Sequence, residues 1–406
     1  MRRDLWLIWK GFIELKSDTT TFIRPVGFPQ SASRPVVTPL SPSVVYASDS
    51  PDMLDDQYDG KLSGFTYARE GHPNGKALSQ ILDRLEAAEN GIVTGSGMSA
   101  VTSAIMATLS NGDHIIAGDQ LYGRSLRLMG EELPRLGISV TLANASSSQD
   151  IARAINPNTK MVLIEGISNP TLRVADLNGI SAICKNAGIL LAVDNTFTTP
   201  KAFQPLKHGA DIVIHSVTKL LAGHSDVTLG YVVAKDPNLN KRIYDFAVTT
   251  GLTASPFDCW LAERGLLTFD LRFEKAQKTA ENLADALAIH PKVARVLYPM
   301  RNDHPDVNLA KIHFEENGCN MVSFELADKT RAAANLFTQR LDGIAFAPTL
   351  GDVGTTLSHP VSSSHRSMMA SDREKNGISE GFFRVSVGLE TPEDLISAFK
   401  NALDQL

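Results

Sequence analysis

The sequence predicts an α/β protein with a large domain built on a mostly parallel seven-stranded sheet and a smaller α+β domain after it. Seven short apolar segments recur between residues 92 and 233, separated by stretches of helical period. Several are apolar on successive residues, as parallel strands buried under helices on both faces are. Past Phe269 the texture shifts to longer helices and fewer strands.

From Arg24 to about Gly75 the chain is rich in Pro, Ser, Asp and Gly, which predicts a long irregular segment. Residues 1–75 are expected to form an arm against a neighbouring subunit. Leu78, Ile81, Leu82 and Leu85 then recur at helical spacing, an amphipathic helix running to Glu89. The strand candidates of the large domain, 76–255, are Ile92–Val93, His114–Ala117, Ser139–Leu142, Met161–Ile164, Ile189–Val193, Ile212–His215 and Leu229–Val233. In the small domain, 256–406, Ala276–Ile289 and Thr330–Leu341 are expected helices. Ala294–Tyr298, Met321–Leu326 and Phe383–Val387 are expected strands, and Pro392 opens the last helix, a favoured first-turn position.

Composition excludes several classes. Lys plus Arg number 39 against 45 Asp plus Glu, so no basic excess exists to meet a nucleic acid backbone. The apolar run at 1–10 follows two arginines, but Lys10, Glu14, Lys16 and Asp18 break it too early for a signal peptide, and no membrane span is expected. The widely spaced Cys184, Cys259 and Cys319 suit a reducing, cytoplasmic setting and neither a disulfide framework nor a zinc site. His72, His215, His224, His359 and His365 show no i,i+4 pairing, so no metal site is expected.

Three strand ends carry the chemistry. Gly95-Ser96-Gly97-Met98-Ser99-Ala100 follows a strand and opens a helix, so its backbone N–H groups can meet an anion. With Asp119 at the end of the next strand it also has the form of a dinucleotide fingerprint, which keeps a nicotinamide-dependent dehydrogenase open. A second strand ends in Asp194-Asn195-Thr196, an acid that could pair with a cationic ring nitrogen. A third ends in Ser216-Val217-Thr218-Lys219, where desolvation would lower a lysine pKa and make the amine reactive. An anion cradle, an acid and an amine on one sheet are what pyridoxal phosphate (PLP) needs. A dinucleotide enzyme has no use for the last two.

The segment Ser216-Val217-Thr218-Lys219-Leu220-Leu221-Ala222-Gly223-His224-Ser225-Asp226 resembles the PLP-lysine signature of the Cys/Met-metabolism (trans-sulfuration) family. That family includes cystathionine γ-synthase, cystathionine γ- and β-lyases, methionine γ-lyase and O-acetylhomoserine sulfhydrylase. The resemblance extends to Tyr67-Ala68-Arg69, Ser96-Gly97-Met98, Tyr122-Gly123, Asn169-Pro170, Asp194-Asn195-Thr196 and the run Phe383 to Glu390. It implies the aspartate aminotransferase-like fold (fold type I) and a role for each matching residue. Lys219 would hold the PLP aldehyde and shuttle protons. Asp194, with Thr196 beside it, would keep the pyridine nitrogen protonated. Gly97, Met98, Ser216 and Thr218 would bind the phosphate, and Tyr122 would stack on the ring and protonate the leaving group. Arg384 would fork the substrate α-carboxylate, with Asn169 and Thr349 on the same side. Tyr67 and Arg69 would reach a neighbouring subunit's phosphate, in a homotetramer built as a dimer of dimers.

The implied reaction is elimination or replacement at Cγ, or at Cβ, of cystathionine or an O-acylhomoserine, of the cystathionine γ-synthase/γ-lyase kind. Methionine γ-lyase, O-acetylhomoserine sulfhydrylase and cystathionine β-lyase chemistry are the alternatives. The sequence departs from the family pattern at Gly354, where cystathionine-handling members carry glutamate, and at Thr349, where serine is frequent. Gly351-Asp352 is closer to sulfhydrylases and methionine γ-lyases, and the sequence departs also at Arg124, after Tyr122-Gly123, and at His72-Pro73-Asn74.

Overall fold

Seven strands form the first sheet: β1 (Ile92–Thr94), β2 (His114–Gly118), β3 (Ser139–Ala143), β4 (Thr159–Glu165), β5 (Leu190–Asp194), β6 (Ile212–Ser216) and β7 (Gly230–Ala234). Their order is β1-β7-β6-β5-β4-β2-β3. β3, β2, β4, β5 and β6 run parallel, while β7 is antiparallel to both β6 and β1. This computed structural model describes residues 31–366 and 368–406; the run at 1–10 and the arm before residue 31 lie outside them.

β2 and β7 are buried at every residue, which is why their sequences are apolar without alternation. From β2 the chain goes outward to β3 and returns to β4 on β2's other side. That reversal opens a crevice at the carboxyl ends of β2 and β4, the place where open α/β sheets bind ligands.

Five strands form the second sheet, in the order β10-β11-β12-β9-β8: β8 (Val293–Leu297), β9 (Met321–Leu326), β10 (Ala345–Phe346), β11 (Thr356–Ser358) and β12 (Phe382–Ser386). Phe324 on β9 lies 5.6 Å from Phe337 and 5.7 Å from Phe383 between ring centroids. One apolar cluster runs from Ile164 and Val193 of the first sheet through Phe203 and Phe314 to Phe324 and Phe383 of the second. A bidentate pair adds to this seam, Arg173 donating through Nε (2.5 Å) and Nη2 (2.8 Å) to Asp306. Leu40–Leu406 is thus one compact unit, and among the described residues no helix is long and apolar enough to cross a membrane.

Four expectations need correction. The irregular segment contains helix α1 (Pro51–Tyr58), capped by Ser50, whose Oγ accepts from the Met53 N–H at 3.1 Å. None of its residues is buried, so no apolar period marked it. Helix α2 (Pro73–Glu86) stops three residues before Glu89, because Ala87 turns left-handed at φ 53°. Its start is set by His72, whose Nδ1 accepts the Gly75 N–H. The helix expected at Ala276–Ile289 begins earlier, at Phe269. β10 and β11, two and three residues long, are too short to leave a periodic signal.

Candidate active site

The anion cradle forms where two elements touch. Helix α3 (Gly97–Met106) starts after β1, and Ser96 caps it by accepting the Ser99 N–H at 3.0 Å. The Ala100 N–H goes to the Ser96 carbonyl, leaving the Gly97 and Met98 N–H groups without partners among the described residues. A β-carbon on Gly97 would stand 2.7 Å from the Ser216 Cβ, so only glycine lets the start of α3 meet the end of β6. Two N–H groups, the helix dipole and the Ser216 hydroxyl converge there.

Asp194 and Lys219 lie at the ends of β5 and β6. Asp194 Oδ1 accepts from the Thr196 N–H at 3.1 Å and hydroxyl at 2.5 Å, and Oδ2 takes no hydrogen bond among the described residues. Thr196 also accepts the Ser216 N–H at 2.9 Å, locking the two strand ends together. Burial raises the Asp194 pKa, opposed by Thr196 and by His215. His215 is itself buried against Glu86. Lys219 sits in the turn after β6, its amine free of hydrogen bonds and ion pairs among the described residues, and burial followed by Arg384 lowers its pKa.

The remaining wall comes from three segments. Tyr122 precedes the short helix α4 (Gly123–Arg127), with its side chain exposed and its N–H donated to Glu165 Oε1 at 2.6 Å. Asn169 is buried, and its Oδ1 accepts from Arg384 Nη1 at 2.6 Å, while Arg384 Nη2 donates to the Thr349 carbonyl at 2.9 Å. Arg384 is 4 % exposed, with Nε buried and unpaired. After Thr349 the chain crosses onto the lysine turn. Gly351, at φ +81°, lies so close that a β-carbon would stand 2.4 Å from the Leu220 nitrogen and 3.0 Å from the Lys219 Cα. The Ser386 hydroxyl accepts the Gly351 N–H at 2.8 Å and holds it there.

The fold therefore brings Gly97, Met98, Asp194, Thr196, Ser216 and Lys219 to adjoining element ends, and Asn169, Thr349 and Arg384 into one hydrogen-bonded group. Thr218 stands in the same turn, but its hydroxyl donates to the Leu229 carbonyl and accepts the Leu229 N–H. These two bonds tie the turn to the residue before β7. Tyr67 and Arg69 are not brought to Lys219. Arg69 lies over its own Tyr67 ring, 5.1 Å from the centroid, and lines a cavity of about 840 Å³ that no residue of the lysine turn lines. Glu165 was missed from sequence; it repeats the pattern of an acid at a strand end and could have been found that way. Gly351 is marked in the sequence as part of Gly351-Asp352, but its contact with the lysine turn carries no local signal.

These groups fit PLP. Unpaired N–H groups and a hydroxyl suit a phosphate, the free oxygen of Asp194 suits a protonated ring nitrogen, and an unpartnered, desolvated amine suits an aldehyde. The family model of Cys/Met-metabolism PLP-dependent enzymes matches residues 19–404. The chain is 39% identical over 346 residues to cystathionine β-lyase MetC of Bacillus subtilis, covering 85% of this chain and 88% of that one. It is 40% identical over 347 residues to cystathionine γ-lyase of the same organism, covering 86% and 90%. Cystathionine γ-synthase of Xanthomonas oryzae pv. oryzae, solved in complex with cystathionine, superposes with a TM-score of 0.86 at 35% identity, over 91% of this chain and 93% of that one. The chain belongs to the Cys/Met-metabolism family of PLP-dependent enzymes.

Proposed function

We propose that this enzyme catalyses elimination or replacement at Cγ of cystathionine or an O-acylhomoserine, the cystathionine γ-synthase/γ-lyase chemistry. The observation that carries it is the buried Arg384 fork, held by Asn169 and Thr349, on a loop that packs onto the Lys219 turn. Arg384 takes the α-carboxylate and so fixes which substrate carbon faces Lys219. When bound, PLP supplies an electron sink for the charge left at Cα. The Lys219 amine, its pKa lowered by burial, is neutral more readily than an ordinary lysine and takes the Cα proton; departure at Cγ needs a second proton, taken from Cβ by the same mobile group after it has handed the first on to the cofactor. Asp194 would keep the ring nitrogen protonated, Gly97, Met98, Ser216 and Thr218 would hold the phosphate, and the Tyr122 phenol would deliver a proton to the leaving atom.

Identity alone does not separate Cβ from Cγ cleavage, since β- and γ-lyase relatives stand within one per cent of each other. One feature favours a substrate with an acidic far end: Arg124 is exposed on α4, two residues past Tyr122, and has no ion pair among the described residues. The test is a panel of cystathionine, O-succinylhomoserine, O-acetylhomoserine and methionine, with keto acid, ammonia and thioether products measured. Cystathionine and O-succinylhomoserine are expected to give the highest kcat/KM. Turnover of methionine alone would transfer the assignment to methionine γ-lyase, and inactivity on all four would remove the proposed reaction.

We also propose a cytoplasmic homotetramer, a dimer of dimers, in which Tyr67 and Arg69 reach a neighbour's phosphate; the divisions at 75/76 and 255/256 belong to the same reading. It is supported by the exposure of both residues, apart from this chain's own lysine turn. Co-expressed Lys219→Ala and Arg69→Ala chains, each inactive alone, are expected to recover about a quarter of the wild-type activity. Half of the dimers are then mixed, and each mixed dimer keeps one intact site. No recovery would place Arg69 outside the neighbour's site.

A further inference from the structure

We propose that Glu165 is a positioning residue: one carboxyl oxygen ties the segment carrying Tyr122 to the segment carrying Asn169, and so sets the spacing between the phenol and the carboxylate fork. The inference rests on the roles proposed for Tyr122, Asn169 and Arg384, and adds a residue that none of the sequence motifs marks.

The placement follows from the sheet. Glu165 ends β4 and stands in register with Asp194 at the end of β5, beside the crevice that the β2–β4 reversal opens. The chain leaving β2 carries Tyr122, and the chain leaving β4 carries Asn169. Glu165 connects the two: its Oε1 accepts the Tyr122 N–H at 2.6 Å, and Glu165 itself ends the strand from which the chain runs on to Asn169. The far side of the Asn169 segment has its own anchors. Arg173 grips Asp306, and the Ser323 hydroxyl donates to the Pro170 carbonyl at 2.6 Å. On the side facing the site Glu165 shares the link with Gln120, whose Oε1 accepts from the Ser168 hydroxyl at 3.2 Å and from the Thr171 hydroxyl. Losing Glu165 would leave the Gln120 bonds as the tie and let the chain at Tyr122 shift against Asn169 without unfolding either segment.

The job needs an acceptor, not a charge. Glu165 is buried, its Oε2 has no partner, and burial followed by the Asp194 carboxylate holds its pKa well above the ordinary value. The N–H groups of Tyr122 and Asn169 and the cation of Arg384 pull the other way. An ionised Glu165 would also compete with the incoming substrate carboxylate for Arg384. A neutral carboxyl keeps the acceptor and leaves the fork to the substrate.

Two variants of similar volume separate these functions: Glu165→Gln keeps an acceptor without charge, and Glu165→Met keeps neither. The Gln variant is expected within about threefold of wild-type kcat/KM, with an unchanged pH profile. The Met variant is expected to lose about 10- to 100-fold, split between a lower kcat from the displaced Tyr122 and a higher KM from the displaced Asn169–Arg384 pair. Should the Met chain not fold, Glu165→Asp, whose acceptor is withdrawn by one methylene, reads the same loss. Crystal structures of the ligand-free variants give a readout independent of any substrate. Residues 120–124 and 167–171 should superpose on wild type with Gln, and separate by about 1 Å with Met or Asp. This arm stands even if the substrate assignment fails. A Gln variant as impaired as Met would make the proton of Glu165 the needed feature and overturn the proposal. So would a Met variant with wild-type activity and unmoved segments.

Discussion

Lys219→Ala is expected to fold as the wild type does and to lose at least about 10³-fold in turnover on whichever substrate is active. The backbone explains the first half. The turn after β6 is held by main-chain bonds, Lys219 N–H to the Ser216 carbonyl at 3.2 Å and Gly223 N–H to the Lys219 carbonyl at 2.8 Å, which alanine keeps. Among the described residues the side chain makes no hydrogen bond or ion pair whose loss would cost stability. Removing it relieves a desolvated ammonium that faces Arg384. The chemistry explains the second half. Asp194 has an acceptor's geometry toward Thr196, Arg384 is committed to Asn169 and Thr349, and Tyr122 lies across the site, so no other group is placed to take a proton from Cα. Turnover with thermal unfolding would be measured on the same preparation. Retained turnover in a folded variant would strip Lys219 of its role, whereas a lowered melting temperature would show that the amine has a structural partner.

The parts of this site that were legible in the sequence are those set by local chain geometry. An apolar strand followed by Asp194, another followed by Ser216 and Lys219, and a glycine turn opening a helix are each readable within ten residues, because in a parallel sheet all carboxyl ends point the same way. The illegible parts depend on contacts between distant segments. Gly351 bears on Lys219 only because β11 and β12 bring the later chain over the first sheet. The bonds from the Thr218 hydroxyl to Leu229, eleven residues on and across a loop, leave no mark in the motif itself. Glu165 differs from any strand-end acid only in what the β2–β4 reversal sets around it. The same division explains the helices. The end of α2 was misread because alanine, the strongest helix former, takes the left-handed cap at position 87.

Arg384→Lys should keep the fold and the charge, yet lower kcat/KM by about 10²- to 10³-fold, mainly through KM. The guanidinium uses one nitrogen for Asn169 Oδ1 and another for the Thr349 carbonyl, and its Nε is buried without a partner, ready for a substrate oxygen. A lysine ammonium cannot serve Asn169, Thr349 and two carboxylate oxygens from one point. The α-carboxylate is bound in ground and transition states alike, so its loss falls on KM more than on kcat. The structure also shows that this cation is kept at a cost. Burial pushes the Arg384 pKa down to about 10, against the pull of Tyr122 and Glu165. Because the folded chain binds that proton less tightly than the unfolded one, the cost is fully present below pH 10 and fades only as pH rises above it. A group retained at that penalty at neutral pH is held for an anion that arrives from outside, and the substrate carboxylate supplies it. Steady-state kinetics of the Lys variant decide the matter: an unchanged KM would mean that the carboxylate binds elsewhere, and that the charge buried beside Asn169 answers to some other ligand.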